Sequence, residues 1–89
     1  MTPQQKALYK KIDEILWEDW DPIGVNDVEY VRNEYQGYTP QLFSLKTQGA
    51  NKTEIAEYLY KLETVEIGVT GNIEHCEKVA QKIIDLKPA

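Results

Sequence analysis

Five carboxylates fall within nine residues of this 89-residue chain: Asp13, Glu14, Glu18, Asp19 and Asp21. Glu14 and Glu18 stand four apart, a spacing that puts two carboxyl groups on one helix face, where acid–base chemistry is conceivable. The single histidine, His75, adjoins the single cysteine, Cys76. Neighbours on a helix point about 100° apart, so these two do not face each other as a nucleophile and its base must. Cys76 sits at the centre of an apolar stripe, and a buried, inert thiol is expected. No serine or threonine has an activating context, and no glycine-rich loop offers to cradle a phosphate. A metal centre would need several carboxylates and His75 to converge, which no spacing demands. No catalytic residue, cofactor or metal is therefore expected.

The elements that would position these groups are helices. Thr2-Pro3 is an N-cap followed by a first-turn proline. Leu8, Ile12, Ile15 and Leu16 then form one stripe at 3.6 periodicity. Asp19 would fall inside that stripe, so the helix is expected to end near Glu18. Asp21-Pro22 agrees, since a residue before proline is pushed out of the helical region. Residues 21 to 38 read as a long crossing loop with turn chemistry at Pro22, Gly24 and Asn26-Asp27, and with a short helix or strand near Val28 to Val31. Thr39-Pro40 repeats the opening signal, and Gly49 is a natural stop. Asn51 and Glu54 resemble a capping box, followed by Ile55, Tyr58, Leu59, Leu62 and Val65 at helical spacing up to Gly68. Residues 64 to 70 are rich in β-branched side chains and make the best candidate for a short strand. Asn72 caps a last helix with the stripe Ile73, Cys76, Val79, Ala80, Ile83 and Leu86, stopped by Pro88. The fold expected is all-α: one small domain over residues 1–89, a bundle of three long and one or two short helices.

The most distinctive segment is Trp20-Asp21-Pro22-Ile23-Gly24-Val25. It resembles a motif of an uncharacterised family of short bacterial helical proteins, marked by Trp-Asp-Pro followed by an apolar residue and Gly. The similarity runs on through Glu34-Tyr35, Gly49-Ala50 and Glu54-Ile55-Ala56-Glu57-Tyr58-Leu59, and ends at Ile67-Gly68-Val69. It implies a helical fold and brings no activity with it. Asn33 and Gln36 stand where the family often has Asp on either side of Glu-Tyr. Physically, Trp20-Asp21-Pro22 is a helix exit: a large ring anchors the departing chain, Asp21 can accept backbone N–H bonds, and Gly24 permits a backbone angle that others resist.

Charge carries the functional expectation. The net charge of −5 argues against non-specific nucleic-acid or anionic-membrane binding. Residues 13 to 34 hold eight acids and one base, or −7, while the remainder holds seven acids and nine lysines, or +2. On the first helix Trp17 lies at about 180° from Leu8, so Tyr9, Asp13 and Trp17 form a second face, with Trp20 beside it. Either that face is exposed, as interface hot spots are, or the loop after Asp21 folds back and buries Trp17. The expected role is non-catalytic binding of another protein with a basic face, through Asp13, Trp17, Glu18, Trp20, Asp21, Glu34 and Tyr35. A bacterial immunity or inhibitor protein is its concrete form. A small enzyme using carboxylate acid–base chemistry, or a DNA-binding regulator, is the alternative. Residues 51 to 59 have the flavour of a helix-turn-helix opening, but the following helix begins Ile73-Glu74-His75-Cys76-Glu77, too acidic to meet phosphates. A lone cysteine, an opening segment without the apolar core of a signal peptide, and no apolar run near the ~20 residues of a membrane span fit a cytoplasmic protein.

Overall fold

Thr2 caps the first helix as its side chain dictates: the hydroxyl accepts from the Gln5 amide at 3.1 Å, and the Thr2 amide donates to the Gln5 side-chain oxygen at 2.8 Å. The computed structural model describes residues 1–21, 24 and 35–87. Helix α1 spans Pro3–Ile15 and continues without a break as a π-helical segment, Leu16–Trp20. Helix α2 spans Thr39–Thr47. Helix α3 spans Lys52–Lys61 and also widens into a π-helical segment, Leu62–Ile67. Helix α4 spans Ile73–Asp85. All regular structure among the described residues is helical, as the periodicity implies.

The start signals at Asn51 and Asn72 operate as read. Asn51 and Glu54 form a reciprocal capping box, and the Asn72 side chain accepts from the His75 amide at 3.1 Å. Thr39 differs. Tyr38 occupies the N-cap position without capping the helix through its side chain, while Thr39, fully buried, donates its hydroxyl to Asp13 across to α1 at 3.1 Å. The strand expected over 64 to 70 is absent. Thr64, Val65 and Ile67 continue α3 in the π turn, because the helix is already propagating and there is no sheet among the described residues to join, and Val69 and Thr70 follow Gly68 outside any helix. The first helix likewise overruns its expected end near Glu18 and closes on Leu16, whose carbonyl accepts from the Asp21 amide at 3.1 Å. A π turn advances each residue less around the axis. Leu16, Trp17 and Trp20 are buried, while Asp19 is partly exposed and pairs with Lys82 at 3.0 Å. The short element expected within residues 25 to 34, and the Pro88 stop, lie outside the described residues.

One core joins the elements. Leu8 and Ile12 of α1 and Leu16 of its π segment meet Leu42 of α2, Ile55 and Leu59 of α3, and Cys76, Val79 and Ile83 of α4. Lys46 of α2 donates its ammonium to the Ile84 carbonyl at 2.7 Å, and the Tyr9 and Phe43 rings meet at 5.5 Å. No helix among the described residues is long and apolar enough to cross a membrane.

The link from α3 to α4 turns at Gly71, whose φ of +79° belongs to the left-handed region. A Cβ there would stand 2.6 Å from Thr64 Cγ2 and 2.9 Å from Tyr60 Cε2, whereas one at Gly49 (φ +84°) would meet nothing within 4 Å. Gly49→Ala should therefore cost about 1–2 kcal/mol from backbone conformation alone. Gly71→Ala should cost about 1–3 kcal/mol more from overpacking. Urea melts of the two variants side by side test this, and equal midpoints would remove the close approach from the account.

Candidate functional site

Both π segments end in left-handed residues, Asp21 at φ 30° and Gly68 at φ 85°, and they deliver their side chains to the same place. Glu63, second residue of the later segment, is only 2% exposed. Its Oε1 accepts from the Trp20 indole N–H at 2.8 Å and from the Cys76 thiol at 3.1 Å. Its Oε2 accepts from the Asn72 amide at 2.9 Å. The Glu63 carbonyl accepts from the Gly68 and Val69 amides, each at 2.9 Å. An acceptor-only carboxylate met by three donors is the arrangement that makes burying it tolerable. His75 completes the ring of contacts, with Nε2 3.0 Å from the Trp20 carbonyl oxygen.

A cleft of about 500 Å³ opens against this cluster, lined by Trp20, Asp21, Glu63, Val69, Thr70, Gly71, Asn72 and His75. The thiol beside it is not a nucleophile. Burial, then the hydrogen bond to Glu63 and the negative charge of that carboxylate, push Cys76 up to about 12, outweighing the opposing influence of Trp20. Cys76 turns to Glu63 and His75 to Trp20, so the two neighbours engage different partners. No group of three or more His, Cys, Asp or Glu among the described residues could hold a metal ion.

The residues expected to form an interaction face divide in two. Trp17 (5% exposed), Trp20 (1%) and Tyr35 (1%) are core: of the two alternatives for Trp17 the buried one holds, and the inclusion of these three rings in an interaction face is corrected. The reason is Tyr35: its ring meets Trp17 edge-on and Trp20 at a tilt, both at 5.6 Å between centroids, and so covers the face opposite Leu8. Asp13 and Asp21 are half-buried, accepting from Thr39 and from the Tyr35 hydroxyl. Glu18 is exposed, with Glu14 and Asp19 partly so. Glu34 lies outside the described residues. The cluster therefore joins Trp20, Asp21 and, through the Asp21 bond, Tyr35; Asp13 and Glu18 stand apart from the cleft.

Glu63 and His75 are the site residues that sequence reasoning missed. A signal existed for the first: relative to Ile55, Glu63 falls at about 80° on a regular helix, between Leu59 at about 40° and Ala56 at about 100°, inside the apolar stripe. An acid on a core face requires donors. Comparison with protein-family models, curated proteins and solved structures gave no match.

Two outcomes follow from this geometry. Trp17→Ala should destabilise the protein by about 3–5 kcal/mol, as a buried ring does; a loss under about 1 kcal/mol would return Trp17 to the surface. The thiol supplies a pH signature. Its folded value of about 12 exceeds the ordinary 9.0, so above pH 9 the unfolded chain releases a proton that the native one keeps. Stability from this group is complete below pH 9 and falls as pH rises towards 12. Urea midpoints at about pH 8 and about pH 10.5 should therefore drop more in the wild type than in Cys76→Ala. Equal drops would detach the thiol from the cluster.

Proposed function

We propose that this chain is a non-catalytic protein-binding module that docks the basic face of another protein through its acidic segment. The observation that carries the reading is the charge distribution, −7 over residues 13 to 34 against +2 elsewhere. The exposed carboxylate of Glu18 and the partly exposed Glu14 and Asp19 support it, since charges of this kind steer encounter with an oppositely charged surface. The buried rings of Trp17, Trp20 and Tyr35 hold that segment in place rather than meeting the partner themselves. The concrete form we favour is a cytoplasmic immunity or inhibitor protein of a bacterium, masking the basic active site of a toxin. The resemblance of Trp20 to Val25 to a family of short bacterial proteins is consistent with that setting.

The test uses the surface acids that hold no buried contact. A partner recovered from cells that encode the chain should be basic, and its association rate should fall steeply as salt rises. Glu14→Lys with Glu18→Lys should slow association about tenfold at low salt while leaving the melting temperature of the unbound protein nearly unchanged. Association that ignores both salt and these reversals would overturn the reading.

A further inference from the structure

One face of α1 runs from base to acid. Gln4, Ala7, Lys11 and Glu14 recur at alternating spacings of three and four, which aligns them along the helix, and Glu18 follows four residues on in the π segment. Gln4, Ala7, Lys11 and Glu18 are exposed, and Glu14 is partly so. Lys11 and Glu14 stand three apart, yet neither is ion-paired among the described residues, and nor are Glu18 and Lys87. The order also runs against the helix macrodipole: α1 has no acid in its first turn and no base in its last, so the helix itself gains nothing from it. At the basic end a cleft of about 470 Å³ opens between α1 and the close of α4, lined by Gln4, Ala7, Leu8 and Lys11 on one side and by Asp85, Leu86 and Lys87 on the other. Asp85 already accepts from the Gln81 side-chain amide at 2.8 Å, and two lysines against one acid leave the cleft basic.

We propose that two copies of this chain pair through that face of α1, antiparallel about a two-fold axis. Complementarity names the occupant. A face that is basic at one end and acidic at the other matches itself when turned end for end, which is what a two-fold axis does. With the axis between Lys11 and Glu14, Lys11 of each copy meets Glu14 of the other. Glu18 of the second copy then comes opposite Ala7, beside the cleft that Lys87 lines. Each contact occurs twice, and the small side chain of Ala7 leaves room for close approach. The pairing closes on itself, so it gives dimers and not fibres. It goes beyond the docking of a foreign basic protein and does not depend on it, since it gives the lysines of α1 and the chain's end a use. The two associations compete, because both cover Glu14 and Glu18.

The test is sedimentation equilibrium of the full chain alone. A face this small supports a weak dimer, half-associated at about 10–100 µM in low salt and less so as salt rises. Lys11→Glu with Lys87→Glu should weaken the dimer about tenfold or more, because each reversal sets like charges together twice. Glu14→Lys with Glu18→Lys should do the same. All four reversals in one chain restore the match and should return the affinity to within about threefold of the wild type. None of the four side chains is buried, so the melting temperature of the dilute monomer should stay nearly constant throughout. A wild type that stays monomeric up to about 1 mM, growth beyond dimers, association indifferent to either pair of reversals, or a fourfold variant that fails to recover would each overturn the proposal. The lysine reversals leave the acidic segment intact and so separate the two readings. A chain that stays monomeric yet binds a basic partner in a salt-dependent way loses the dimer and keeps the docking surface. A dimer that obeys the reversals, in a chain whose partner association ignores salt and Glu14→Lys with Glu18→Lys, keeps the dimer and loses the docking surface.

Discussion

Removing a carboxylate from water costs several kcal/mol unless donors replace its hydration, and the arrangement around Glu63 is organised by that requirement. The indole of Trp20, the thiol of Cys76 and the amide of Asn72 come from three parts of the chain, and each is held by a bond to the same two oxygens. Each bond also specifies something beyond itself. Trp20 fixes where the first helix ends, Asn72 fixes the start of α4, and Cys76 fixes the rotation of α4 about its axis. Apolar packing tolerates small slides and rotations, whereas a directional bond to a buried charge does not. Every buried side-chain nitrogen and oxygen among the described residues has a partner, so specificity is obtained without orphaned polar groups.

The two π segments, Leu16–Trp20 and Leu62–Ile67, carry the residues that meet here, and each closes on a left-handed residue, Asp21 and Gly68. π turns are frequent where a structure serves more than packing. The first of them supplies both interior rings and exterior acids. Trp17 and Trp20 are core, while Glu18 between them is exposed. The charged surface is as well positioned as the rings beneath it.

Helix existence, and three of the cap residues, Thr2, Asn51 and Asn72, were legible because they depend on local chemistry. Asn51 and Asn72 have no better use for their side chains than the amides three residues on. Thr39 has one, in Asp13, and a tertiary bond displaced the cap that its sequence context suggests. The register of the helix ends was not legible. Periodicity at 3.6 residues presumes an unbroken α-helix, so it ended the first helix near Glu18 and set Trp17 on the face opposite Leu8. It also left residues 64 to 70 to strand propensity, which had no sheet to act on. The burial of Trp17 depends on Tyr35, distant in sequence, which no local signal brings against it. Glu63 was legible in part: its position on the stripe marks it as an acid needing donors, but not which donors.

The polar cluster also orders events during folding. Glu63 and Cys76 are 13 residues apart, whereas Trp20 and Glu63 are separated by 43. Closing the longer loop costs about 1 kcal/mol more in chain entropy, and its closure is rewarded only when the carboxylate is already in place. The helical hairpin of α3 and α4 is thus the natural nucleus, with the first helix docking on it late. On the ribosome this reverses the order of synthesis. The segment made first waits, its tryptophans in water, until residues more than forty positions later have emerged to receive them.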